Sequence, residues 1–138
     1  FFLQRGHPTV FVDIDAANVR DLAGTNGVEI LEIDLETKTP NAWPYEPASF
    51  AVVVATNYLW RPLIPTLIDS VAPGGVFLYE TFAIGNEVFG RPKNPDFLLK
   101  AGELLEMMRG KLRVVAFGQE THPDPNPAVI QHIAAMRD

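Results

Sequence analysis

Residues 9–14 read TVFVDI, and this stretch decides the fold. Thr9, Val10, Phe11 and Val12 are strand formers, and the run closes on an acid, Asp13. An acid at the carboxyl end of an early buried strand is a habit of nucleotide-binding α/β folds. There it lies about 20 residues beyond a glycine-rich loop that opens the first helix. Here only residues 1–8 come before the strand, and the opening FFLQRG reads as the tail of a helix. The expectation is a domain whose first strand and glycine loop lie outside these 138 residues.

Working outward, Asp15 caps a short helix that Gly24 stops, and residues 28–33 form the next strand, ending beside Asp34. Pro40, Pro44 and Pro47 make residues 36–49 a loop. Residues 50–55 (FAVVVA) are apolar throughout, as in a central parallel strand covered on both faces. A helix is expected over residues 60–71, a tight turn over 72–75 (APGG), and a strand over 76–79 ending at Glu80. Residues 83–95 (AIGNEVFGRPKNP) read as a loop, 102–109 as a helix, and 112–118 and 128–136 as two strands. Strands alternating with helices imply a Rossmann-like α/β domain, a mostly parallel sheet over residues 1–138. The last two strands have no room for a crossover helix, so one runs antiparallel near the C-terminus.

Composition narrows the function classes. The net charge is −6, which disfavours nucleic acid and anionic membranes as partners. The chain has no cysteine, which removes thiolate catalysis and Cys-ligated zinc. No apolar run approaches the roughly 20 residues of a membrane helix, so a cytoplasmic location is expected. His7, His122 and His132 lack the close spacing of a metal pair, and no metal site is expected.

The segments Val10–Asp15 (VFVDID), Glu32–Leu35 (EIDL), Phe50–Leu59 (FAVVVATNYL) and Val71–Glu80 (VAPGGVFLYE) together resemble the class I S-adenosylmethionine-dependent methyltransferase family. In order, they match its second and third strands with their acids, its fourth strand, and its fifth strand after a Pro-Gly-Gly turn. The stretch at residues 97–104 (FLLKAGEL) is closest to the tellurite-resistance-type subgroup. The family's sheet order is 3-2-1-4-5-7-6, and its first strand and glycine loop have no counterpart here. That loop touches the methionine part of the cofactor, so the 138 residues alone are expected to bind it weakly. Open strand edges left by the missing strand are expected to favour homo-oligomers.

The resemblance implies S-adenosylmethionine as cofactor and S-adenosylhomocysteine as product. It makes Asp13 the acceptor of both ribose hydroxyls, a bidentate task suited to a carboxylate, with Asp15 left as a helix cap. It makes Asp34, with Leu35 beside it, the adenine contact, against a plain Asx turn. Asn57 and Tyr58 end the fourth strand, where open α/β sheets hold ligands, and would orient cofactor or acceptor and wall the pocket. The bland reading is a capped helix start and a packing aromatic. Glu80 offers an acid/base near the acceptor, or a structural partner for Arg91 or Arg61. Residues 83–95 would form a substrate lid, with hinges at Gly85 and Gly90, an apolar plug in Phe89, and Arg91 and Lys93 for an anionic group. The expected activity is methyl transfer to a small-molecule or oxyanion-like acceptor. The alternative is a non-catalytic Rossmann-like module that works through oligomerisation or partner binding.

Overall fold

The structure, a computed structural model, describes residues 1–37, 43–123 and 125–138. Pro40 of the proline-rich loop and Asp124 of the last connection lie outside the described residues. The chain divides into two compact units, Phe1–Pro44 and Tyr45–Asp138.

In the first unit, residues Leu3–Arg5 form one 3₁₀ turn that ends on Gly6 in the left-handed region, φ 80°. Strand β1 (Thr9–Asp13) pairs in parallel with β2 (Val28–Glu32), Phe11 opposite Ile30 and Asp13 opposite Glu32. The connection is a 3₁₀ helix, Ala16–Leu22, whose N-cap Asp15 accepts the Ala17 N–H at 2.9 Å, as the sequence reading expects. Glu32 reaches back to the same helix, accepting from the Ala16 N–H and from Arg20, each at 3.3 Å.

The second unit holds a four-stranded sheet in the order β3-β4-β6-β5, built from β3 (Phe50–Thr56), β4 (Val71–Phe82), β5 (Arg113–His122) and β6 (Ala128–Met136). Strand β3 runs parallel to β4, whereas β6 is antiparallel to both β4 and β5. Thus the reversed strand expected near the C-terminus is β6, inserted between its neighbours. Helix α1 (Ile64–Asp69) packs on β4, and α2 (Glu103–Met108) packs on β5 and β6. Ile64, Leu67, Ile68, Leu104 and Met108 of these helices are buried. The sheet residues beneath them, Val53, Phe77, Tyr79, Ile133 and Ala135, share one face by register and are buried too. Gln131 lies on that face at 0% exposure, donating through Nε2 to Lys100 O at 2.5 Å and accepting the Leu104 N–H at 3.3 Å. It thereby ties the start of α2 to the middle of β6.

Three expectations change. The Ala72-Pro-Gly-Gly75 segment is not a turn before a strand but a bulge inside β4. Val71 already pairs with Phe50, and the register shifts before Val76 meets Val52. The chain stays in the sheet because Gly74 N–H donates to Arg137 O at 2.7 Å and Arg137 N–H to Gly75 O at 3.0 Å. The close packing requires glycine at 75, where a Cβ would lie 2.7 Å from Ala72 O and 2.8 Å from Ala51 O. The helix expected over 60–71 is shorter, a 3₁₀ turn (Arg61–Leu63) leading into α1, since Ser70 caps it and Val71 is strand. Strand β3 is parallel as expected but is not covered on both faces. It is the edge of its sheet, both helices lie on one face, and Val54 on the other is 50% exposed.

Candidate functional site

Parallel strands of open α/β sheets present their ligand-binding groups at their carboxyl ends. At the end of β1, Asp13 is exposed, and its Oδ1 accepts the Asp15 N–H at 3.0 Å. Among the described residues its second oxygen carries no hydrogen bond, so the carboxylate keeps an acceptor facing solvent. Just past β2, Asp34 is exposed, and its Oδ1 takes the Glu36 N–H at 2.8 Å in an Asx turn. Leu35 beside it is half-buried. An exposed carboxylate with an uncommitted oxygen suits the vicinal hydroxyls of a ribose, and the Asx turn at Asp34 leaves its other oxygen for an amino group.

In the second unit, Asn57 follows the last residue of β3 at φ 53°, in the left-handed region that non-glycine residues seldom occupy. Its N–H donates to Glu80 O at 2.9 Å, which fixes the backbone at the carboxyl ends of β3 and β4 together. Asparagine tolerates this conformation better than most side chains. Backbone strain of this kind collects at ligand-binding positions. Tyr58 is half-buried, and its carbonyl accepts from the Tyr79 hydroxyl at 2.5 Å. Burial, then the neighbouring Tyr58, push the Tyr79 phenol well above its ordinary range, so it is a fixed neutral donor. The structure therefore brings Asn57, Tyr58 and Glu80 to one end of one sheet.

Glu80 does not pair with Arg61, as one reading of the sequence allowed. Arg61 is spent on Glu103, with Nε to Oε1 at 2.7 Å and Nη2 to Oε2 at 3.0 Å, and on the carbonyls of Asp96 at 2.5 Å and Leu98 at 3.0 Å. Arg91 makes no ion pair with Glu80 among the described residues. Glu80 instead stands in a cross-strand row with Thr56 on one side and His132 on the other. These three line an open depression of about 320 Å³ on the uncovered face of the sheet. Sequence reading passed over Thr56 and His132, because neither sits in a motif. Only the strand pairing brings them beside Glu80.

Residues 83–95, expected to be a structureless lid, carry their own order. Ala83 bridges to Leu99, Asn86–Val88 form a 3₁₀ turn, and Asn86 is only 2% exposed. Its Oδ1 accepts the Val129 N–H at 3.2 Å, and its Nδ2 donates to Arg91 O at 3.3 Å. The expected hinge at Gly85 is held too: its N–H donates to Glu87 Oε2 at 2.8 Å, and a Cβ there would press on Val129 at 3.3 Å. The segment is thus a built loop anchored by a buried amide. Phe89 at its tip is 45% exposed and Arg91 is exposed as well. His122, read as lying in a loop, is the last residue of β5. Among the described residues no cluster of histidine and carboxylate side chains can hold a metal ion, and no helix is long and apolar enough to cross a membrane.

The parallel β1–β2 pair, the β3-β4-β6-β5 order with β6 reversed, and acids at strand ends define a Rossmann-like α/β protein of the nucleotide-cofactor kind. Its fold is that of class I S-adenosylmethionine-dependent methyltransferases. Within the units, the strand orders reproduce 2-3 and 4-5-7-6 of that family. A methyltransferase structure from Methanosarcina mazei superposes with a TM-score of 0.64 at 12% identity, over 93% of this chain and 81% of that one. The Burkholderia thailandensis 1,6-didemethyltoxoflavin-N1-methyltransferase, seen with its substrate and S-adenosylhomocysteine, gives 0.65 at 17% identity. The Streptomyces coelicolor geranyl diphosphate C-methyltransferase, seen with Mg²⁺, geranyl diphosphate and S-adenosylhomocysteine, gives 0.67 at 14% identity. These two comparisons each cover 99% of this chain, which spans 64% and 65% of those proteins. No family model and no curated protein matches the sequence.

Proposed function

We propose that this chain forms the core of an enzyme that transfers a methyl group from S-adenosylmethionine to a small-molecule acceptor. The observation that carries the reading is the sheet order β3-β4-β6-β5 with β6 alone reversed, in a fold shared with methyltransferases. Asp13 would accept the ribose hydroxyls, and Asp34 with Leu35 would hold the adenine. The cofactor, when bound, supplies an electrophilic methyl carbon. In-line transfer needs positioning and exclusion of water more than a strong base. Asn57, held in its strained conformation against Glu80 O, would orient cofactor or acceptor, and Tyr58 would wall the pocket. Glu80 would face the acceptor as an acid/base group. Phe89 and Arg91, on the loop that Asn86 anchors, would border the acceptor, with Arg91 and Lys93 suited to an oxyanion-like group.

The second reading, a module that acts by partner binding, is favoured by the uncovered sheet face, where Val54 is 50% and Val115 57% exposed. Titration with S-adenosylhomocysteine, followed by thermal denaturation, separates the two. Saturable stabilisation that is lost in Asp13→Ala supports the methyltransferase. No stabilisation at saturating ligand leaves the interaction module.

A further inference from the structure

The uncovered face of the four-stranded sheet carries a polar row that neither the fold nor the cofactor reading explains. Register places Thr56, Glu80, His132 and Gly118 directly across four strands, in the order β3, β4, β6, β5. Directly opposed cross-strand residues hold their Cβ atoms about 4.5–5.5 Å apart, so the row is one continuous surface. Its last member is a glycine, and that choice has a consequence. A Cβ built at Gly118 would fall inside the His132 imidazole, against Nε2 and Cε1. The ring occupies the space that any other side chain at 118 would fill. On its other side, Nδ1 of His132 faces Glu120 Oε1 at 3.8 Å, and the same carboxylate oxygen is 3.3 Å from His122 Nε2. His132 is thus a half-exposed imidazole given room by a glycine and backed by a carboxylate.

Below the row lies an apolar floor. Val54, Leu78, Ala116 and Ala134 line the same depression of about 320 Å³ as Thr56, Glu80 and His132. An occupant therefore needs an apolar body and one polar end. The charges beside that end are both negative, Glu80 in the row and Glu120 behind the ring. Like charges repel at such distances, which disfavours a carboxylate or phosphate and favours a neutral or cationic nitrogen. Arg91 and Lys93 are not among the residues lining the depression.

We propose that this row is an acceptor site for an amine carried on a flat apolar body, and that Nε2 of His132 receives the proton the amine gives up. The proposal rests on the methyl-transfer reading above and narrows its acceptor. The amine lone pair forms the nitrogen–carbon bond to the methyl carbon of the sulfonium donor, and the carbon–sulfur bond breaks with its electron pair going to sulfur. The alkylated nitrogen then carries a positive charge, which it loses by passing a proton to Nε2 of His132. The Glu120 carboxylate stabilises the resulting imidazolium through Nδ1, and the proton leaves to water.

Aniline, benzylamine and benzoate serve as probes, titrated into the whole chain and followed through the imidazole ¹H–¹⁵N signals of its histidines. The two amines are expected to shift the His132 signals saturably, with benzoate weaker by about tenfold or more. Gly118→Ala, which pushes the ring aside without removing it, is expected to weaken the amines about tenfold, and His132→Gln likewise as read by ligand line broadening. His122→Gln is expected to leave amine affinity within about twofold, because His122 does not line the depression. Benzoate binding as tightly as the amines, amine shifts unchanged in Gly118→Ala, or no saturable shift with any probe would overturn the proposal. Titration with S-adenosylhomocysteine on the same samples keeps the two ideas apart. Cofactor binding without an amine response sinks the amine site alone. Amine binding without a cofactor response sinks the methyl-transfer reading, and the proton-transfer role with it.

Discussion

Arg61 and Glu103, 42 positions apart in sequence, meet in a two-point ion pair, Nε to Oε1 at 2.7 Å and Nη2 to Oε2 at 3.0 Å. Through it the segment leaving β3 is fastened to the first residue of α2, and the same guanidinium caps the Asp96 and Leu98 carbonyls. Burial by itself would raise the Glu103 carboxyl. The Arg61 hydrogen bond, the Lys100 N–H and nearby positive charge outweigh it and hold the group below the usual carboxylate range. A depressed carboxyl adds stability above its unfolded-state value, and that stability is lost as pH falls through the folded-state value. Stability should therefore drop in the acid region below about pH 4.5. In Glu103→Gln the drop should be shallower and the neutral-pH stability lower by about 1–2 kcal/mol, after allowance for the partial exposure of the pair. Urea denaturation from pH 3 to 7 measures both, and parallel acid limbs for the two proteins would contradict the assignment.

Gln131 offers a sharper test of the core. It is fully buried, and both ends of its amide are used, on Lys100 O and Leu104 N–H. Gln131→Leu keeps the volume but strands one buried acceptor and one buried donor. The expected cost is about 2–4 kcal/mol, since each unsatisfied buried group costs roughly 1–3 kcal/mol. A loss below about 0.5 kcal/mol in denaturant titration would show that water replaces the amide.

Two backbone positions should respond in opposite directions. Ala48 sits at φ 58°, where a Cβ is strained, and Ala48→Gly should raise stability by about 0.5–1 kcal/mol. Gly75→Ala should lower it by about 2 kcal/mol or more, because the new Cβ meets two backbone oxygens that the strand pairing holds in place. Equal melting temperatures for the two variants would refute the geometry of the β3–β4 bulge.

Asp13→Ala should weaken S-adenosylhomocysteine binding more than Asp15→Ala. Losing a charged hydrogen-bond acceptor costs about 1.5–3 kcal/mol of affinity, whereas losing the Asp15 cap costs about 1 kcal/mol of stability and leaves the carboxylate in place. Calorimetric titration of both variants decides, and a larger loss in Asp15→Ala reverses the roles.

Strands β1 and β3 each pair on one side only, with β2 and β4. Such edges are templates for pairing with another chain. The expected outcome is self-association that rises with protein concentration, measured by sedimentation velocity. A monomer over the whole accessible range would mean that the edges are protected.

Much of this was legible in the residues themselves. Asp15 announces its helix because a capping carboxylate acts within two residues, and the 3₁₀ helix Ala16–Leu22 begins where the cap requires. The apolar runs at residues 9–13 and 50–56 become strands because their alternation and branching suit a pleat, and the short link between the last two strands enforces their antiparallel pairing. Local rules of this kind need no knowledge of distant residues. The Pro-Gly-Gly bulge was misread as a turn because what keeps it in the sheet is Arg137, some 60 positions away. The loop at 83–95 was misread as structureless because its order comes from Asn86 bonding to Val129. Likewise the partner of Arg61, and the row of Thr56, Glu80, His132 and Gly118, exist only through register between strands remote in sequence. By itself, then, the sequence determined the elements and the acids at strand ends, through forces that act over a few residues. Which side chains face each other across the sheet was decided by the tertiary structure, since strand pairing sets that neighbourhood and a shift of one residue would turn every side chain to the other face.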